Sequence, residues 1–216
     1  MKTISKEEAM KKLGNQIHIT KHTGKMECIN SASTACTMNP FCQERSKDKN
    51  SICYKCYSKN YLNYRKSLRV CLERNTLILT QSIIPWDDLP RIYDRFFRFE
   101  SFGDLINATH FINFIRIAQK NPETNFALWT KNIEIVNSVL DSGEFDKPEN
   151  LFIVYSSRDL NKKEDLSLFP HADKVFTVYD KEHAKDVNIN CGKRKCIECR
   201  LCYTKNKVTE ISELVK

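Results

Sequence analysis

No apolar run in this 216-residue chain approaches the ~20 residues that a membrane-spanning helix needs, so an α-helical membrane protein is excluded. The opening Met1-Lys-Thr-Ile-Ser-Lys-Glu-Glu8 is polar and carries acids, unlike a secretory signal. The composition of a disordered chain is also missing: 41% of residues are hydrophobic and 29% charged, an ordinary globular balance. Histidine offers few ligands. His110, His171 and His183 have no second ligand-type residue at helical or turn spacing, and only His18 and His22, near Cys28, stand as zinc candidates. Cysteine, by contrast, is plentiful, with ten residues. Without an export signal these are expected to be reduced thiols in the cytoplasm, available for metal rather than for disulfides.

Four of the ten form the run Cys191-x4-Cys196-x2-Cys199-x2-Cys202. Thiols packed this closely along one segment cannot all point into a core. Two-residue gaps let neighbouring thiolates curl round one centre while the amides of the turn face the sulfurs. Structural zinc and cubane iron–sulfur clusters both use this spacing, so the run marks a metal site without choosing the metal. A second Cys-x2-Cys pair, Cys53 and Cys56 followed by Tyr57, echoes Cys199, Cys202 and Tyr203. It lies with Cys28, Cys36 and Cys42 in a loop-like stretch, 21–59, too long to stay ordered without an anchor such as metal–thiolate bonds.

The formal net charge is +8. A 4Fe–4S cube on four thiolates carries about −2. Lys193, Arg194, Lys195, Arg200, Lys205 and Lys207 therefore have two readings: they balance the sulfurs, or they form a nucleic-acid surface.

The length suits one domain, 1–216, with a Cys-rich loop (21–59), a parallel βα core (95–182) and a Cys-rich terminal segment (191–205). Residues 1–15 read as an amphipathic helix, and the alternating Gln16–Thr20 as a strand. Residues 57–80 read as one helix, with Cys71 a small core residue and Tyr57, Tyr61, Tyr64, Arg65, Lys66 and Arg69 an aromatic–basic face. Strands are expected at Phe96–Phe99, Phe126–Trp129, Leu151–Tyr155 and Val175–Tyr179. Between the first three lie helices from the Asn107 cap to Asn121 and from Ile133 to Leu140. Continuous apolar strands alternating with helices indicate an α/β fold with a parallel sheet. In such folds sites form beyond the carboxyl ends of strands. Glu100, Ser101, Asp104, Thr130, Lys131, Ser156, Arg158, Asp159 and Asp180 fall there.

Cys53-x2-Cys56-Tyr57, Arg98-Phe-Glu-Ser-Phe-Gly103-Asp104, Trp129-Thr-Lys131, Ser156-Ser157 and the terminal cysteine run together resemble the phage gene 88 protein family, over roughly residues 20–205 in the same order. Its members look like small relatives of radical S-adenosylmethionine enzymes, which carry a three-cysteine 4Fe–4S cluster on a partial parallel (β/α) barrel. The resemblance implies an open cluster on Cys42, Cys53 and Cys56, with Cys36 able to replace Cys42. It implies S-adenosylmethionine beside Glu100, Ser101 and Asp104, with substrate over Glu100, Lys131, Ser156 and Arg158. It further implies an auxiliary cluster on Cys191, Cys196, Cys199 and Cys202, hence one or two clusters in all. The sequence departs from the usual C-x3-C-x2-C spacing, because ten residues separate Cys42 from Cys53. A phage-encoded member would work in the host cytoplasm.

Two other readings stand beside the enzyme. One is a zinc-stabilised nucleic-acid-binding protein using Tyr57–Arg74 and Lys193–Lys207. The other is an iron–sulfur host-interaction protein without catalysis. The substrate is not legible in these residues.

Overall fold

The computed structural model describes residues 16–215, so the helix expected over 1–15 lies outside the described residues. Six strands form one all-parallel sheet in sequential order: β1 (Asn30–Ala32), β2 (Phe96–Phe99), β3 (Asn125–Thr130), β4 (Leu151–Ser156), β5 (Lys174–Tyr179) and β6 (Glu210–Leu214). The sheet is open, with β1 and β6 at its edges. Among the described residues six α-helices accompany it: α1 (Pro40–Arg45), α2 (Tyr57–Tyr64), α3 (Lys66–Gln81), α4 (Ala108–Lys120), α5 (Ile133–Leu140) and the short α6 (Cys196–Cys199). None of the described helices is long and apolar enough to cross a membrane.

The strand order never reverses. In a doubly wound sheet the order turns at a switch point, which sends helices to both faces. Sequential crossovers of one hand instead keep the helices on one face. Accordingly α3 packs on α4 and α4 on α5. Their apolar stripes meet Phe97, Phe99, Phe126, Leu128, Leu151, Ile153, Tyr155 and Val175 in the main core. Phe99 stacks between Phe114 of α4 and Phe126 of β3, with centroids 4.0 and 4.8 Å away. Each such fully buried phenyl contributes about 1.5–3 kcal/mol.

Alternation along the strands sends Phe96, Ala127, Val154, Phe176, Val178 and Ile211 to the opposite face. That face is covered by the terminal segment, which brings Cys191, Cys196, Cys202 and Tyr203 against it. Burial on both sides explains why these strands read as unbroken apolar runs.

Several local expectations are corrected. Gln16–Thr20 is not a strand. Its backbone is claimed by a side chain, since Asn75 accepts from the His18 amide (2.7 Å) and donates to the His18 carbonyl (2.9 Å), and Thr20 makes only an isolated antiparallel bridge to Ser31. The first strand, β1, falls inside the stretch read as loop. The helix read over 57–80 is two, broken at Arg65, which adopts φ −98° and ψ 69°. Cys71 is half-buried and stands outside the core clusters, because Leu72 and Asn75 take the inward positions. Elsewhere the pattern holds: Asn107 caps α4 by accepting from the His110 amide (2.9 Å), and α5 spans the expected residues.

Candidate metal centres

Cys36, Cys42, Cys53 and Cys56 meet at the carboxyl end of the sheet, each within electrostatic reach of another. Leaving β1, Thr34 donates from its amide and its hydroxyl to Glu100 (3.1 and 3.2 Å), and the Ala35 amide donates to Thr76 Oγ1 (2.9 Å). These bonds fix Cys36. Asn39 then caps α1 by accepting from the amides of Phe41 and Cys42, with Pro40 at the first helical position. Its own amide group donates to the carbonyls of Asp104 and Leu105. Cys53 follows the Ser51 cap, and its segment is tied to the loop after β4. The Ile52 amide donates to the Arg158 carbonyl (3.2 Å), and Arg45 pairs with Asp159 (2.6 Å).

Lys131, following β3, directs its ammonium at this group. Burial works against that charge, yet Cys53, Asp104, Cys42 and Cys56 hold its pKa above the ordinary lysine value. Asp104 is buried and accepts from Thr130 Oγ1 (2.6 Å) and the Lys131 amide (3.0 Å). Burial pushes its carboxyl up, against the pull of Lys131 and Thr130. The proximity of Cys36 and Cys56 raises the Cys36 thiol and lowers that of Cys56. The amides of Lys59 and Ser58, at the start of α2, lower Cys56 further. Burial raises Cys42 and Cys53, with Lys131 opposing.

The second group is compact in sequence and in space. Cys191, Cys196, Cys199 and Cys202 line one cavity of about 30 Å³ together with Lys25, Arg194 and Arg200. Lys25 Nζ reaches Cys191 Sγ (3.3 Å), and Arg194 approaches Cys199 Sγ (3.9 Å). Burial raises Cys202, Cys196 and Cys191, while Arg98 opposes it at the first two and Lys25 at the last two. Arg98 projects from β2 onto the inner face, its guanidinium 4.3 Å from the Trp129 ring centroid.

The model of the family described as gene product 88 matches residues 2–210. The chain belongs to the gene product 88 family. No curated protein and no solved structure matches it. Within this family member, then, the two thiol groups stand on their own geometry.

All ten cysteines are free thiols. Among the described residues, no three His, Cys, Asp or Glu side chains are arranged to hold a single metal ion. A tetrahedral ion with bonds of about 2.3 Å needs sulfurs within about 4 Å of one another, whereas a cubane interposes irons and sulfides and spaces its thiolates wider. Donor chemistry makes both groups fit for a cluster: four thiols each, cations facing them, and amides at Cys56. Two buried donors near the second group, Arg98 Nε and Trp129 Nε1, have no hydrogen-bond partner among the described residues.

The other expected site residues divide. Glu100 is buried at φ 58° and engaged by Thr34 and by His110 Nε2 (3.2 Å). Ser101 is buried in a network with Ser31 and Ser33, and its carbonyl accepts from Tyr57. Ser156 is buried on the inner face. Arg158 donates to Glu134 (2.6 Å) and the Lys131 carbonyl (3.0 Å) and lies 5.2 Å from the Phe41 ring, so it clamps the cysteine loop to the rim. His22 bonds Ser31, not a sulfur (2.8 Å). Lys25, Arg98 and Trp129 join the second group without standing among the expected site residues. Nothing local marks Lys25, but an arginine inside Phe96-Phe-Arg-Phe99, a strand buried on both faces, is a signal in itself.

Proposed function

We propose that this gene product 88 family member is an iron–sulfur protein with a 4Fe–4S cluster at each thiol group, and that the first serves radical S-adenosylmethionine chemistry on a partial barrel. The observation that carries this reading is the convergence of Cys42, Cys53 and Cys56 on Lys131 at the carboxyl end of a sequentially ordered parallel sheet. Lys131 faces those three sulfurs, whereas Cys36 is set against Cys56 and Glu100. That favours the trio as the ligands of an open cluster, with Cys36 beside it. Cys42, Cys53 and Cys56 would hold such a cluster, and it would supply the one-electron chemistry that cleaves a sulfonium.

The chain's own residues have separate tasks. Lys131 offsets the negative charge of the sulfurs, and Asp104 and Thr130 hold its loop. Arg158 and Arg45 pin the cysteine loop and shield the centre from water. Lys25, Arg194 and Arg98 supply positive charge to the second group. S-adenosylmethionine would take its place between Lys131 and the Glu100–Asp104 loop, the two elements that follow β3 and β2 at the carboxyl end of the sheet. The reducing cytoplasm of a host cell suits such thiols.

Purification without oxygen tests this. Iron and acid-labile sulfide should each come to about eight per chain, and S-adenosylmethionine with dithionite should yield 5′-deoxyadenosine. Stoichiometric zinc without sulfide would overturn the iron–sulfur reading. Intact clusters without deoxyadenosine would overturn only the enzyme.

A further inference from the structure

From the first thiol centre the chain runs directly into a surface of distinct composition. Between Asp48 and Glu73 there is no acidic residue, while Lys49, Lys55, Lys59, Arg65, Lys66 and Arg69 are all basic. Tyr54, Tyr57, Tyr61 and Tyr64 are exposed along the same stretch, at 47%, 64%, 44% and 86%. The last three follow helical spacing on α2 and so share a face. Their exposure is unusual, since large aromatic rings normally contribute burial.

Two of the rings, those of Tyr57 and Tyr61, are also held in place. Tyr61 stacks on Phe102 (5.6 Å, 26°), Phe102 stacks on His22 (5.7 Å, 17°), and the Arg65 guanidinium lies 5.7 Å from the Tyr61 centroid. Tyr57 is moored through its hydroxyl to the Ser101 carbonyl. Lys55, Lys59 and Lys66 make no ion pair among the described residues, and only Arg69 is committed, to Glu73 (2.7 Å). The basic stretch near the terminal cysteines is partly occupied, since Lys195 pairs with Glu27, Arg194 faces Cys199 and Arg200 bonds the Ile197 carbonyl, and it carries none of the exposed tyrosines that line α2.

We infer that α2 and the turn before it bind single-stranded nucleic acid and lay it across the first thiol centre. Unpaired cations suit phosphates, and ordered, exposed rings suit unstacked bases, which a duplex does not offer. The binding surface stands on these residues alone. That a polynucleotide is the substrate class of the centre rests on the enzyme reading above.

Fluorescence anisotropy of the full chain, purified without oxygen, against labelled oligo-dT and oligo-rU of about 15 nucleotides tests it, with a duplex and heparin as comparators. Either single strand should bind roughly tenfold more tightly than the duplex, and the two arms identify DNA or RNA. Tyr54→Ala with Tyr64→Ala should weaken binding about tenfold or more. Lys59→Gln with Lys66→Gln should flatten the log–log salt slope by about 1.4. Both tyrosines are solvent-facing, so near-ultraviolet circular dichroism should show an unchanged fold. Tyrosine variants that bind like the parent, or duplex and heparin that bind as well as single strands, overturn the inference. Iron and sulfide measured on the same samples keep the two proposals apart: tyrosine-dependent binding without clusters retires only the enzyme, and clusters without such binding retire only the surface.

Discussion

Lys25 Nζ lies 3.3 Å from Cys191 Sγ and 2.8 Å from Glu213, joining the start of the described chain to its end. Burial disfavours the ammonium there, but its bonds to Glu213 and Cys191 keep the Lys25 pKa above the usual lysine value. The lysine is therefore a standing positive charge at the edge of the second thiol group.

Lys25→Met should loosen that centre without removing a ligand. Partners beyond the ligands themselves typically carry 10- to 100-fold in metal affinity, so iron release to a chelator should quicken about tenfold, and Lys25→Arg should restore most of it. Release at the parent rate would take Lys25 out of the centre.

The two groups are separate in space, so their losses should add. Cys53→Ser and Cys199→Ser should each remove about four irons per chain and lower stability, because metal binding and folding are linked. Cys71→Ala, at a half-buried position away from both, should leave iron unchanged and cost about 1 kcal/mol or less. Iron at the parent level in Cys199→Ser would strike that residue from the ligands.

Gly103 holds the loop after β2 against the loop after β1. A Cβ there would stand 2.6 Å from the Thr34 carbonyl oxygen and collide with Thr34 Oγ1 and the Glu100 carboxylate. Backbone cannot yield as a flexible side-chain tip does. Gly103→Ala should cost about 2–3 kcal/mol in urea unfolding and disturb the first centre with it. A near-neutral effect would mean the loops are looser than described.

His22 gives a pH signature. Burial and the Arg98 charge lower its pKa from 6.5 to about 4. Between those values the unfolded chain binds a proton that the folded chain refuses, so this contribution to stability is present above pH 6.5 and lost as pH falls towards 4. The stability difference between the parent and His22→Gln should therefore shrink across that window, read by urea unfolding at several pH values. A constant difference would mean His22 ionises in the folded protein as it does in water.

Local pattern revealed much of the fold. Apolar runs marked β2 to β5, Asn107 marked the start of α4, and α5 was read to the residue. β1 was hidden because Asn30-Ser-Ala32 contains no strong strand former and exists through its pairing with β2. β6, Glu210-Ile-Ser-Glu-Leu214, is a short edge strand whose polar positions resemble a tail. The break at Arg65 leaves no mark, since helix formers continue on either side.

Covalent spacing alone brings Cys191, Cys196, Cys199 and Cys202 to one cavity, since a span so short keeps them close together. Folding decided what spacing could not: that Cys36 and Cys42 join Cys53 and Cys56, and that Lys131, Lys25 and Arg98 face the sulfurs. Successive parallel strands return the chain to the same end of the sheet each time. Residues remote in sequence become neighbours by strand order, which no local run of residues encodes.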